Sequence, residues 1–504
     1  MPTTLQFNHM VKYGALFTLF FCVGNVFAQK HDYVWMLGYD GNDSIKHFGG
    51  TRIDFNFDPA RLSFFNLPDS FEFETPCSIA DENGNLEFYV DGCRMINSQH
   101  KMIENGYGFS PGWYQIQECN YRLFGYGGYQ EFFALPRPEH PRHYLYFHHG
   151  LEKGFVEKTV YYSEVDMNAN DGAGKVILKN RALWALDTIA FSASAVRHGN
   201  GRDWWVTYAV ANRNIYRLFL VKPDTVEGPF IRSMEEKDAK SFELGWNTNF
   251  SPDGKKFVRT TFTSPPSFFL YDFDRCAGRF SNARRIDFPV DAGEYPWATF
   301  SPNSRYLYLQ VGAHNLYQYD LEAEDIASSA ILIGEFDGFK DKQGFPTLFH
   351  MVALAPDGKI YISPFNGSRY LHTIHNPDER GAACDFRQHD LEIPTNNLEF
   401  LPNYPNYRLG AMPDNACAPV REGCFPIHII PNPVSDFIQV EFDRPYTGPV
   451  WVYDMLGRLV LRASGSGQQR QEFDASGLPN GVYAVVLSCP ERGAFEAGKC
   501  VVVK

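Results

Sequence analysis

The side chains able to do chemistry in this 504-residue chain form three groups, and none has the spacing of a known catalytic set. Asp272, Glu294 and Asp320 are carboxylates that a glycoside-hydrolysing pair would need, provided folding set two of them about 5–10 Å apart in one cleft. His140, His143, His148 and His149 lie close in sequence. His148 and His149 are adjacent, however, and adjacent residues of a strand point to opposite faces, which argues against a metal pair. Asp166, Asn168 and Asn170 place oxygen ligands at alternate positions, as calcium loops do, yet Gly172 falls one place late and no Glu stands at the twelfth position. There is no His-Glu-x-x-His, no phosphate-binding Gly-rich loop and no Gly-x-Ser-x-Gly elbow; Gly465-Ser466-Gly467 is a loop with no helix after it. The expectation is a binding protein with no catalytic residue, no metal and no cofactor, against a rival hydrolase whose carboxylates would meet at one mouth.

Cysteine is the remaining reactive type. Ten are present, and removal of Cys22 with the leader described below leaves an odd number, so at least one stays unpaired within the chain. Cys417 and Cys424 are seven apart in a Pro-containing stretch and make a small loop feasible. Cys489 and Cys500 flank an expected hairpin and form the second candidate disulfide.

The N-terminus has the layout of a cleavable secretory leader over residues 1–28. Lys12 is its only formal charge, the apolar run Ala15–Val23 follows, and Val26-Phe27-Ala28 places cleavage between Ala28 and Gln29. No later stretch is apolar enough to span a membrane as a helix. The formal charge is −13, one unit more negative without Lys12, and no Lys/Arg cluster offsets it, which argues against nucleic acid. An oxidising compartment permits disulfides.

The elements that must position these groups are strands. Phe (44), Tyr (28), Gly (42) and Pro (32) are abundant, which suits short strands joined by tight turns, and long helical periodicity is hard to find. Three segments share one pattern: Asn249-Phe-Ser-Pro-Asp-Gly-Lys-Lys-Phe-Val258, Thr299-Phe-Ser-Pro-Asn-Ser-Arg-Tyr-Leu-Tyr308 and Ala353-Leu-Ala-Pro-Asp-Gly-Lys-Ile-Tyr-Ile362. Weaker versions lie at Asp81–Val90, Glu139–Phe147 and His198–Val206. Recurring at about fifty residues, such turns predict a β-propeller with one four-stranded sheet per blade. Asp32–Leu67, paired with Leu398–Leu409, would close the ring as a seventh blade; six and seven blades both remain open. The propeller is expected over 29–412, a linker over 413–426, and an immunoglobulin-like sandwich over 427–504, so the whole is an all-β protein.

Two family resemblances follow from these residues. Asp81–Gly92, Asp203–Val206, Ser251–Lys255, Ala382–Phe386 and Leu401–Gly410 resemble segments of propeller-bearing surface proteins from gliding and related Bacteroidota. That resemblance implies a propeller of unknown extracellular ligand. Pro431-Asn432-Pro433, Tyr453-Asp454 with Gly457-Arg458, Gly481 with Tyr483, and a valine strand ending in Lys504 resemble, in order, the type IX secretion C-terminal sorting domain. That resemblance implies as partners an outer-membrane translocon and a sorting peptidase, and surface lipopolysaccharide as an attachment point. It implies a location outside the outer membrane, after export to the periplasm by the leader.

Overall fold

The computed structural model describes residues 29–504 apart from 40–46, 68–70, 72, 74–75, 123–129, 154–155, 186–188, 211–214, 234–244, 262–265, 290–295, 366, 413–416, 418–426, 430–432, 443–445, 456–457, 469 and 490–493. The leader, Glu294 and Cys424 therefore lie outside the described residues. Up to Glu392 the strands form seven successive antiparallel meanders, the second and third of which join through one parallel pairing, Glu104 with Lys175, into a single eight-stranded sheet. The first has three strands, β1–β3 (Val34–Tyr39, Gly49–Asp54, Arg61–Phe65). The second holds β4–β7 (Cys77–Ala80, Leu86–Val90, Arg94–Asn97, Met102–Tyr107) and the third β8–β11 (Phe133–Pro136, His143–Glu152, Val156–Asp166, Lys175–Ala185). The fourth holds β12–β15 (Ile189–Arg197, Trp204–Val210, Ile215–Val221, Val226–Ser233) and the fifth β16–β19 (Gly245–Phe250, Lys256–Thr261, Ser267–Asp274, Arg279–Asp287). The sixth holds β20–β23 (Trp297–Phe300, Tyr306–Val311, Asn315–Asp320, Ile331–Glu335) and the seventh β24–β27 (Phe349–Leu354, Ile360–Pro364, Tyr370–Ile374, Phe386–Glu392).

Turn chemistry explains the repeat. All six expected turns join the first strand of a meander to its second. In the fifth meander Ser251 Oγ donates to Asp253 Oδ1 (2.6 Å) and accepts from Lys256 N (2.9 Å), while Gly254 N donates to Ser251 O (2.7 Å). The sixth repeats this with Ser301, Asn303 and Tyr306. Gly254 (φ 71°), Ser304 (φ 64°) and Gly358 (φ 79°) take the left-handed conformation that closes each turn, which is why Gly recurs there. Asp253 N donates to Ser304 Oγ (3.1 Å), so neighbouring turns lie on the same side of the ring.

Each meander shares a core with the next. Val34 and Met36 of β1 pack with Tyr89 and Ile96 of the second meander. Phe88, Tyr144 and Trp204 join the second, third and fourth. Trp205 and Tyr216 meet Phe257 and Tyr271 of the fifth, and Phe268 and Leu270 meet Leu307 and Tyr319 of the sixth. Trp297, Ile360, Trp35 and Leu37 then join the sixth, the seventh and the first, which closes the circle. Trp204 and Trp205 show the consequence: neighbours on one strand, they are buried in different cores on opposite faces. Both faces of these sheets must therefore be apolar, and strands such as Tyr306–Val311 are buried throughout. The body is a β-propeller.

The C-terminal region is a two-sheet β-sandwich. One sheet has the order β28-β29-β32 (Ile427–Ile429, Phe437–Phe442, Arg470–Asp474). The other has the order β31-β30-β33-β34 (Leu459–Ser464, Pro449–Asp454, Gly481–Cys489, Ala494–Val502). Ile438, Val440, Val450, Val452, Val485 and Leu487 fill the core between them, at the alternate positions that half-buried strands require.

Both expected disulfides are corrected. Cys417 bonds Cys276 (Cα–Cα 5.1 Å), 141 residues away, rather than its neighbour Cys424. Cys489 pairs in register with Ala494, whereas Cys500 pairs with Tyr483, six positions along the same strand. At about 3.3 Å per residue that is far beyond disulfide reach. Cys500 is a free thiol in the sandwich core. A second bridge joins Cys93 to Cys119, and Cys77 and Cys384 are free and buried.

Candidate functional site

The centre of the ring is occupied by the chain's own segment from Glu399 to Met412. Expected as a closing strand, Leu398–Leu409 forms none, and β1–β3 need no fourth partner from it. Its two Asn-Tyr pairs bind backbone on several meanders instead. Asn403 Nδ2 donates to Gln130 O (2.7 Å) and Ala193 O (3.0 Å), and Asn406 Nδ2 donates to Pro252 O (2.8 Å). Tyr407 OH donates to Ala134 O (2.7 Å), and Tyr404 OH shares a hydrogen bond with Ser78 Oγ (2.6 Å). Glu399 O accepts from His350 Nδ1 (3.0 Å), Arg275 donates to Gly410 O (2.6 Å), and Met412 N donates to Gly199 O (2.9 Å). Tyr404 OH also reaches Val34 O (3.3 Å), so the first, second, third, fourth, fifth and seventh meanders are held from inside. Pro402 and Pro405 lower the demand, since they bring no N–H into a buried path. Burial holds the Tyr404 and Tyr407 phenols well above their usual range, so both remain donors.

Beside this plug, on the side of the six turns, lies a cavity of about 260 Å3. Phe250, Phe300, Leu354 and Tyr404, the turn prolines Pro252, Pro302 and Pro356, and the amides of Asn249 and Asn403 line it. Among the described residues its only charged side chains are Asp32 and Arg408, which neutralise each other in a bidentate pair (Nη2–Oδ2 2.8 Å). A second cavity on the same side, lined by more charged side chains, lies among the turns of the second, third and fourth meanders. There Arg142 is bound to Glu87 (2.7 Å), Arg202 to Asp203 (2.7 Å) and Glu139 (2.9 Å), and Arg137 to Glu164. Arg197, buried with no bonded carboxylate among the described residues, lies 3.9 Å over the Trp204 ring and donates to Arg202 O and Gln29 Oε1; burial lowers its pKa to about 10.

Two of the three carboxylates expected at the channel, Asp272 and Asp320, are elsewhere, and Glu294 lies outside the described residues. Asp272 lies on β18, on the third strand of its meander, between Lys256 (3.4 Å) and Arg284 (3.7 Å). Asp320 ends β22 and is held by both arms of Arg305 (2.8 and 3.1 Å), which keeps its carboxyl below the usual range. Third strands lie outside the central ring, so these two do not form an axial pair. Sequence inspection missed Glu399, a half-buried group at the channel end remote from the turns, whose pKa burial raises to about 7. His148 lies between Ser110 (3.0 Å) and Ser163 (2.9 Å), while His149 faces Phe132 (4.9 Å) from the other side of the strand. Burial pushes His149 down to about 3 and His148 well below its ordinary value. Asp166 receives Asn168 N (2.8 Å) and faces His143 (3.3 Å), so that stretch is a turn.

In the sandwich, the motif residues close turns. Asp454 accepts Arg458 N (3.0 Å) and pairs with its guanidinium (2.7 Å) across the β30–β31 connection. Tyr453 is half-buried on β30. Tyr483 is in the core, with its OH donating to Pro479 O (2.8 Å). Lys504 N donates to Asn480 Oδ1 (2.8 Å), and its ammonium reaches Ser476 O. Pro433 is exposed, Gly481 opens β33, and Pro431, Asn432 and Gly457 lie outside the described residues.

No curated protein matches this chain. Among solved structures, it is similar to the type-IX secretion component PorZ of Porphyromonas gingivalis (10% identity, 90% of this chain and 63% of that one, TM-score 0.35). It is also similar to the periplasmic gluconolactonase PpgL of Pseudomonas aeruginosa (12% identity, 73% and 98%, TM-score 0.41). A third is a putative 6-phosphogluconolactonase of Bacteroides uniformis (14% identity, 94% and 97%, TM-score 0.35). The chain spans less than two thirds of the first of these. Residues 428–496 match the family of secretion system C-terminal sorting domains, and the C-terminal sandwich is a sorting domain of the type IX secretion system.

Proposed function

We propose that this chain is a surface-delivered binding protein: a seven-bladed propeller over 29–412 that takes an extracellular ligand at the turn-side mouth of its plugged channel. The sorting domain carries it through the outer membrane to the cell surface or beyond, after the leader ending at Ala28 has brought it to the periplasm. The sorting peptidase and surface lipopolysaccharide belong to this reading as the partners that release and retain it. The observation that supports binding over hydrolysis is the turn-side cavity, whose single carboxylate among the described residues, Asp32, is already neutralised by Arg408. A glycosidase needs two carboxyls free to exchange protons with substrate. Aromatic, aliphatic and proline walls with a few fixed amides suit a neutral ligand held by contact and hydrogen bonds. A glycan array and a hydrolase panel, both run on the mature chain, test this. Binding without turnover, lost in Leu354→Trp, which fills the cavity, is expected. Turnover of any glycan, or binding untouched by that substitution, would overturn the reading.

A further inference from the structure

A sorting domain must present something for the export apparatus to grip, and the family motif residues with described contacts are mostly spent on the domain itself. Asp454 and Arg458 fasten one turn, Tyr483 is core, and Lys504 is tied to the Ser476–Asn480 loop. What the motif turn leaves uncovered is the strand after it. Among the described residues strand β31 is an edge of its sheet, with β30 its only neighbour, so one side of its backbone is left open by them. Among the described residues, five large apolar side chains of the sandwich are exposed, and three of them sit on this hairpin: Met455 (74%), Leu459 (49%) and Val460 (39%). Val460 falls at the register shift between Val452 and Tyr453, so it is an extra residue pushed out of the ladder. An open apolar edge is a liability that folded proteins ordinarily blunt, and it is also the structure to which an extended partner segment adds as a further strand. One edge of the other sheet, β32, is different: Arg470, Glu472 and Asp474 are its outward residues and its apolar Phe473 is buried.

We infer that β31, with Met455 and Arg458 just before it, forms the surface engaged by the secretion apparatus, through a strand that the apparatus adds to this edge. Apolar side chains of that strand would cover Leu459 and Val460. A carboxylate would face Arg462, which is exposed mid-strand and has no acidic partner among the described residues. This rests on the reading that the sorting domain exports this chain. The domain match assigns the task, and the exposed edge inside the matched residues supplies a place for it.

The test is cell fractionation of the full chain in a type IX-competent host. Leu459→Asp with Val460→Asp should lower the fraction outside the cell by about tenfold or more, and Arg462→Glu by about threefold. In both cases trypsin-resistant protein should collect in the periplasm. Met455→Asp, at a site too exposed to unfold the domain, should shift export in the same direction and decides the matter if the double variant misfolds. Arg470→Asp with Glu472→Lys on β32 should leave export unchanged. Normal export of the β31 variants, or equal loss from the β32 variant, overturns the inference. So would a dimer of the purified chain that these β31 substitutions dissociate, because the edge would then serve a second copy. Deletion of 427–504 separates the two claims: export that survives it defeats the sorting reading itself.

Discussion

The propeller and the sandwich solve the same problem, burying apolar strands, in opposite ways. In the propeller each sheet is covered on both faces by its neighbours, and the circle closes when Trp35 and Leu37 meet the seventh meander. Its centre is then filled by Glu399–Met412 and fixed to the fifth meander by Cys276–Cys417. The sandwich has one core between two sheets, an apolar edge in solvent and a free buried thiol where a bridge was expected. A closed ring gains stability from every contact around it. An open-edged sandwich keeps a surface free for another molecule at the cost of that protection. The contrast assigns durability to the body and handling to the tail.

The sharpest way to break that contrast is to remove the tail. Truncation after Pro426 retains Cys417 and should leave the propeller melting within about 2 °C of its transition in the full chain, since independent cores are additive. Export should nevertheless fall to background in a type IX-competent host. A propeller that unfolds, or one that still leaves the cell, would show that the two regions do not divide these tasks.

Acid should separate the two regions next. Burial lowers His31 and His350 to about 4, and His372 and His149 to about 3, while the only histidine of residues 427–504 is His428. These imidazoles are neutral when folded and take up protons when unfolded below their ordinary 6.5. Their contribution is therefore complete above that pH and is lost as the pH falls toward 4. For His31 and His350 the loss is on the order of 3 kcal/mol each. Calorimetry from pH 7 to 4 should show the propeller transition dropping and the sandwich transition holding. Equal drops would mean that the buried histidines are not what distinguishes them.

A smaller effect tests the staple. Cys276→Ser should destabilise the propeller by about 2–4 kcal/mol in urea, as expected for a bridge closing a long loop. Truncation after Pro413 should reproduce it, because it discards Cys417. The sandwich transition should not move.

What could be seen in the sequence was local. Ser251-Pro-Asp-Gly254 and its relatives announce turns because the side chains that close them lie within five residues of one another. From their spacing came the strands, the meanders and the propeller. The plug was hidden for the converse reason. Asn403 reaches a carbonyl 273 residues away, and Asn-Tyr-Pro-Asn-Tyr looks like any extended run until that carbonyl is placed. Cys417 was misassigned on the same ground, since proximity favoured Cys424 and only the folded ring brings Cys276 near. Asp272 and Asp320 looked available because their ion-pair partners sit on, or one residue before, the neighbouring strand, 16 and 15 residues away.

The least expected effect concerns a motif residue. Gly481 opens β33 at a position conspicuous in the sequence, and its loss would impair the domain if the backbone there needed glycine. It does not adopt a positive φ, and an added Cβ would stand 3.5 Å from the Tyr483 ring, an ordinary contact. Gly481→Ala should therefore change sandwich stability by no more than about 0.5 kcal/mol, and a strand position gains slightly when glycine's unfolded-state freedom is removed. Export should be equally unaffected if β31, on the far side of β30 from β33, is the surface that matters. A folded Gly481→Ala chain that stays in the periplasm would place recognition at the start of β33 instead, and would move the handled surface to the other side of the same sheet.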